Sequence, residues 1–361
     1  MKIKISPLEE NRCKNLLAIK ECNIDSVNIL IDYLNNHNFD IKEKDVEKLT
    51  FSKAFFKVLN INENDAYIKQ LKKVNRIDIF NELNPNEYLN NPYVLAMKDL
   101  KINQKDFELA FYKYAPYEAF CYDEIIVDPL NYKEITPMGY FKKEFPFLSL
   151  TENGLIWMSL IPHEINTMKT PIKEAKGDVL VLGLGLGYYA YMISLKEEVK
   201  KITIIESDQR IISLFNQYLI PRFKYKEKIN IIKNDAFNYL KDNHHHDFVF
   251  TDIYHNVEDG LPLYLKIKQF ENKYPSTIFS YWIEDSLISM LRRQLLTIYE
   301  EQYYEGYSDK EYNKSRNIND KIINSLYWIS KDYTISSYED LHKLLAKENI
   351  TKLVKDIKIN F

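Results

Sequence analysis

The stretch VLVLGLGLGYY, residues 179–189, sets Gly183, Gly185 and Gly187 on alternate positions directly after a run of aliphatic residues. Only 8 of the 361 residues are glycine, so the clustering is not a by-product of a glycine-rich background. A buried strand that ends in such a loop and passes into a helix lets a ligand approach the backbone where any Cβ would obstruct it. The helix start at Tyr188 adds unpaired N–H groups and the positive end of a dipole, which suit a carboxylate or phosphate. The competing reading is a tight strand–helix turn closed by packing alone.

Working outward, the same alternation repeats. GDVLVLG, KITIIESD, INIIKND, HDFVFTD and STIFSYWIE are apolar strand-like runs separated by helical patterns, one of them near residues 262–270. Such alternation predicts an α/β fold, a doubly wound (Rossmann-like), mostly parallel sheet with right-handed crossovers, over residues 176–285. Before it, FPFLSL–TENG–LIWMSLI reads as a β-hairpin bending at Asn153-Gly154 and leading into the core. With the linking helix that follows, it fills residues 126–175. Residues 1–125 contain no glycine and space apolar residues at three and four, which predicts an N-terminal helical accessory domain. Residues 286–361 read as a helical C-terminal extension.

Composition narrows the function classes. A hydrophobic fraction of 45% with 28% charged residues is that of an ordinary globular chain, and a net charge of −3 disfavours wholesale capture of nucleic acid or an anionic membrane. Three scattered cysteines make neither a disulfide framework nor a thiolate metal site. The start, MKIKISPLEENR, becomes charged before an apolar segment develops, so the expectation is a soluble cytoplasmic chain with no membrane partner and no metal. Homo-oligomerisation is left open. A P-loop would need Gly-x4-Gly-Lys-Ser/Thr, which is absent, and a dinucleotide loop wants glycine where Tyr188 stands.

The spacing Gly-x-Gly-x-Gly resembles the first motif of the class I methyltransferases that use S-adenosylmethionine (SAM). Later landmarks follow that family in order. Glu206 ends the second strand, nineteen residues after Gly187, where a carboxylate accepts both ribose hydroxyls. The resemblance implies SAM as cofactor, held by Gly183, Leu184, Gly185, Gly187, Glu206, Ser207, Asp235, Ala236 and Asp252. Asp235 would accept from the adenine amino group while Ala236 offers its N–H. An acid two positions before the first glycine is missing, since Val181 stands there. The hairpin before the core and the pattern from Asp252 to Tyr264 resemble the spermidine-synthase-like branch, whose aminopropyltransferases use decarboxylated SAM. That branch carries an Asp before the last glycine of the loop, able to hold the donor's amine, and here the position is Leu186.

On these grounds the sequence reads as a SAM-dependent methyltransferase acting on an unidentified acceptor, a small amine-containing molecule among the candidates. The alternatives are an aminopropyltransferase-like enzyme and a non-catalytic SAM-binding or scaffold protein. An NAD-dependent oxidoreductase is opposed by Tyr188. Catalytic candidates are Asp252, to take the acceptor's proton or orient a cationic amine, with Tyr254 and His255 beside it. Each has a plainer reading: Asp235 and Asp252 as caps, Glu206 as a helix-start acid, Tyr254 and His255 as loop furniture. Glu258 and Asp259 read as a solvated acidic turn, and His163 and Glu164 as the start of a helix capped behind Pro162.

Overall fold

The computed structural model describes residues 1–104, 107–242, 244–315 and 317–357. At its centre lie five parallel strands: β1 (Gly177–Leu182), β2 (Val199–Glu206), β3 (Ile229–Lys233), β4 (Phe248–Thr251) and β5 (Ile278–Tyr281). Their order is β3-β2-β1-β4-β5, with every pairing parallel. The order reverses between β1 and β4, and in such sheets the crevice outside the strands' carboxyl ends at that point is where ligands bind. The strands are aliphatic nearly throughout because both faces are covered, and Val179, Leu182, Ile202, Ile204, Phe248 and Phe250 are fully buried.

The connecting helices are α1 (Tyr188–Ser194), α2 (Gln209–Leu214), α3 (Ala236–Lys241), α4 (Val257–Glu271) and α5 (Glu284–Tyr304). Helix α4 begins five residues before Pro262. Asn256 caps it by accepting from the Glu258 and Asp259 N–H groups, while Asp259 accepts from the Asn256 N–H. The expected acidic turn at Glu258 and Asp259 is therefore the first turn of a helix. Helix α5 crosses the expected boundary at residue 285 without a break.

The N-terminal region differs from its helical expectation. Helices do dominate its first part, above all Pro7–Asn36, but strands occupy Phe80–Glu82, Ile102–Gln104, Phe107–Tyr114 and Ala119–Cys121. The strand Phe107–Tyr114 pairs antiparallel with Phe145–Glu152 over its full length, and with Leu155–Ser159 and Ile102–Gln104 they form a four-stranded sheet. The hairpin is thus one edge of a sheet rather than a free-standing lead-in. Asn153 (φ +51°) and Gly154 (φ +80°) make its turn, both with the positive φ that a two-residue hairpin demands.

The C-terminal residues form helices Ile318–Ser330, Tyr338–Leu345 and Lys347–Lys355. They join a buried core continuous with that of the parallel sheet. The last four residues of the expected extension, 358–361, lie outside the described residues. A short parallel pairing of Lys2–Ile3 with Thr334–Ile335 ties the two ends of the chain together. No helix of the described residues is long and apolar enough to cross a membrane.

Candidate active site

A cavity of about 580 Å³ opens at the carboxyl ends of β1, β2 and β4. Its floor is the glycine loop, and every residue expected to hold the cofactor or the acceptor lines it. The roof comes from the hairpin strand at Ile156, Trp157 and Met158, and from the short helix Pro162–Thr167.

The three glycines do different work. A Cβ on Gly183 would lie 2.0 Å from the Asp252 carbonyl oxygen, and one on Gly187 would lie 2.3 Å from the Phe215 ring. Those two positions are closed by packing, as the plainer reading of the loop supposed. At Gly185 (φ +54°) a Cβ would meet no protein atom within 4 Å, so this position opens onto the cavity. The loop therefore combines a tight turn with one glycine that faces the cavity.

Glu206 accepts from the Leu184 N–H (3.2 Å) and the Asp208 N–H (2.8 Å), with the Ser207 hydroxyl 3.4 Å away. It fastens the glycine loop to the end of β2 while still lining the cavity. Asp208, not Glu206, caps α2. Asp235 does cap α3, accepting from the Asn238 N–H at 2.9 Å, and it also lines the cavity together with Ala236.

Asp252 follows β4 and donates its own N–H to the Leu182 carbonyl at 2.9 Å. Its carboxyl caps nothing: among the described residues no donor reaches it. Burial, reinforced by the negative charge of Glu164, holds the carboxyl well above the ordinary aspartate range. The Tyr254 hydroxyl is engaged elsewhere, donating to the Trp282 carbonyl at 2.6 Å. It contributes its ring rather than a free hydroxyl. The His255 ring is exposed and lies with Nδ1 2.9 Å from Asp259 Oδ2.

One wall residue, Glu164, reads from sequence chiefly as a helix start, although a helix over the cofactor is also expected there; another, Trp282, escaped the sequence reading. Glu164 sits in the roof, and among the described residues the one basic side chain within reach of its carboxylate is the His163 ring, Nδ1 being 3.9 Å away. Its signal was present, an acid two residues after Pro162, but the same pattern marks an ordinary helix start. Trp282 lines the cavity and donates its indole N–H to Thr167 at 3.0 Å. Nothing in the sequence joins it to residue 167, because their contact exists only in the tertiary fold. Among the described residues no lysine or arginine lines the cavity, whereas Glu164, Glu206, Asp235 and Asp252 all do.

In the segment RFKYKEK, residues 222–228, two of the four basic side chains bond back onto the protein. Arg222 donates to the Ala96 and Lys98 carbonyls, and Lys228 to those of Ser194 and Lys196.

A doubly wound sheet with an acid-lined cavity at its switch point belongs to the class of sites in which open α/β sheets bind their ligands. Within that class, residues 161–310 match the family described as the spermine/spermidine synthase domain. Among solved structures, spermidine synthase from Thermotoga maritima shares 16% identity with a TM-score of 0.30, over 42% of this chain and 59% of that one. A spermidine synthase in complex with the transition-state analogue AdoDATO shares 15% identity with a TM-score of 0.31, over 42% and 58%. The chain thus spans less than two thirds of the length of these structures. No curated protein matches it. The family match agrees with the branch indicated by the hairpin and the fourth-strand pattern, and it overturns the methyl-transfer reading drawn from the glycine spacing. Leu186, uncharged where that branch carries an Asp, is the departure on which the two readings divide.

Proposed function

We propose that the cavity binds decarboxylated SAM and that the chain transfers its aminopropyl group to an amine acceptor. The observation that carries this reading is the charge of the cavity: four carboxylates line it and, among the described residues, no lysine or arginine does. Such a wall favours a donor bearing a sulfonium and an ammonium over one that also carries a carboxylate. The helix start expected to receive the SAM carboxylate is weak support for it. Helix α1 has seven residues, and the Gly187 N–H is spent on the Leu184 carbonyl at 2.9 Å. The family match of residues 161–310 points the same way.

The donor supplies an activated carbon–sulfur bond. In the transfer a C–N bond forms from the acceptor nitrogen as the C–S bond breaks, and the sulfur keeps the electron pair as neutral methylthioadenosine. The attacking amine must be unprotonated, and the new ammonium loses a proton. Asp252 serves that step: a carboxyl held above its ordinary range is a better proton acceptor, and no protein donor competes for it. Glu206 and Asp235 hold the nucleoside, and Gly185 gives it room.

Thermal-shift and calorimetric titrations with decarboxylated SAM, SAM, methylthioadenosine and NAD test the reading. A ligand at a hundred times its Kd stabilises by about 2.7 kcal/mol. Decarboxylated SAM is expected to bind more tightly than SAM, with methylthioadenosine released when a diamine is added. Tighter binding of SAM, or no response to either thioadenosine, would overturn it.

A further inference from the structure

The four carboxylates of the cavity are not equivalent. Glu206 and Asp235 accept from backbone N–H groups of the protein. Asp252 and Glu164 accept from none, and each faces the same cavity, so that the charge of one is felt by the other. Asp252 has no donor among the described residues and Glu164 only the His163 ring, with Nδ1 at 3.9 Å, and two carboxylates so weakly compensated in one cavity are costly unless a cation joins them.

Glu164 is moreover held in place by a rigid mount. Its helix, Pro162–Thr167, is pinned from behind by Asn166, which donates to the Tyr122 carbonyl (2.7 Å) and the Tyr88 hydroxyl (3.2 Å). Thr167 is pinned by the Trp282 indole N–H. Met158 and Met168 give the same cavity an apolar wall, which suits a methylene chain. On the floor, Leu186 is buried and its carbonyl accepts from the Tyr93 hydroxyl, so the glycine loop offers no acid of its own.

Building on the aminopropyl-transfer reading, we infer that Glu164 is a specificity-determining residue whose carboxylate receives a terminal primary ammonium at the far end of the methylene chain from the reacting carbon or nitrogen. The donor and the acceptor both carry such a group, and the chemistry that recognises it is the same. Asp252 remains beside the reacting centre, and Glu164 reads the length and charge of the chain.

The test uses the full chain and its Glu164→Gln variant. Methylthioadenosine, which lacks the ammonium, reports whether the cavity is intact and should bind both proteins equally. If Glu164 holds the donor's ammonium, decarboxylated SAM loses at least tenfold in affinity in the variant while methylthioadenosine does not. If it holds the acceptor's, donor affinity stays and the acceptor's KM rises at least tenfold with kcat little changed. Either result supports the inference and names the source. Unchanged donor affinity together with an unchanged acceptor KM overturns it. Should Glu164→Gln fail to fold, Glu164→Asp takes its place, with the same readings in a milder form. A wild-type chain that binds neither thioadenosine would instead remove the aminopropyl reading itself, before any variant is made.

Discussion

At the residue scale, the glycine loop shows how much of a site a sequence can carry. Three alternate glycines marked the place, but only the fold separates the two needed for packing from the one that faces the cavity. Gly183→Ala should prevent stable folding, because its Cβ would meet a backbone oxygen at 2.0 Å. Gly185→Ala should fold, at a cost of about 1–2 kcal/mol for a left-handed backbone, yet lose at least tenfold in methylthioadenosine affinity. Melting temperatures and calorimetry on the pair check both outcomes, and equal binding by Gly185→Ala would remove the loop from the site. Asp252 yields a second prediction. Its carboxyl is raised above its ordinary value of 3.8 in the folded state, by burial first and Glu164 second. The native state therefore binds that proton more tightly than the unfolded chain does, and stability from this group is greatest below about 3.8 and lost as pH rises through the folded value. Asp252→Asn should accordingly be more stable than wild type near neutral pH, with the advantage vanishing in acid, while turnover falls by about 10²–10⁴-fold. A variant less stable than wild type at pH 7 would mean that the carboxylate has a structural partner.

At the element scale, the parallel sheet was legible because aliphatic runs alternate with helical patterns, and Asn153-Gly154 made the hairpin legible too. The strand Phe107–Tyr114 was not, although FELAFYKY places Phe107, Leu109 and Phe111 on alternate positions. Its period-2 signal is short and follows a long helical region, and its partner lies more than thirty residues downstream. The roof of the site was hidden for the same reason, since a hairpin's alternation does not say what lies beneath it. Helix α5 illustrates a cap that no local pattern reveals. Ile283 stands at its N-cap position, with φ +47° and no side-chain acceptor. Glu124, from far upstream, instead accepts from the Ser286 N–H at 2.8 Å. Burial and then the Asp285 charge push its carboxyl up to about 7 from 4.5, against the hydrogen bond from Ser286. A raised carboxyl loses its contribution as pH climbs through the folded value. Between pH 4.5 and 8.5, wild type should therefore lose on the order of 3 kcal/mol relative to Glu124→Gln. Urea unfolding of both proteins across that range measures the difference, and parallel stability profiles would show that Glu124 does not titrate there.

At the scale of the whole molecule, the expected division into helical flanks and a central sheet gives way to a different partition of buried surface. One apolar core runs from Met1 and Cys13 through the parallel sheet to Ile357. A second, smaller core gathers Cys22, Tyr33, Phe51, Phe55, Leu71 and Tyr140 around the far half of the first helix. Helix Pro7–Asn36 therefore belongs to both, with Cys13 and Cys22 on the two sides of the division. Both thiols are buried, at 0% and 1% exposure, so neither reacts without an opening of the structure. The small core is built largely from short elements such as Phe51–Val58 and Ala66–Asn75, whose stability rests on tertiary packing rather than on their own length. The large core includes the parallel sheet, which opens only with the molecule. Cooperative units of unequal size open with unequal free energies, the smaller more readily. Thiol labelling of single-cysteine proteins retaining Cys13 or Cys22, followed under native conditions at rising urea, should give Cys22 the lower opening free energy. The gap should be at least a tenfold difference in opening equilibrium, and Cys13 should approach the global unfolding value. Methylthioadenosine, bound at the sheet, should slow Cys13 labelling in proportion to the added global stability and leave sub-global opening at Cys22 nearly unchanged. Equal opening free energies at the two thiols, equally raised by ligand, would show instead that the two cores unfold as one unit.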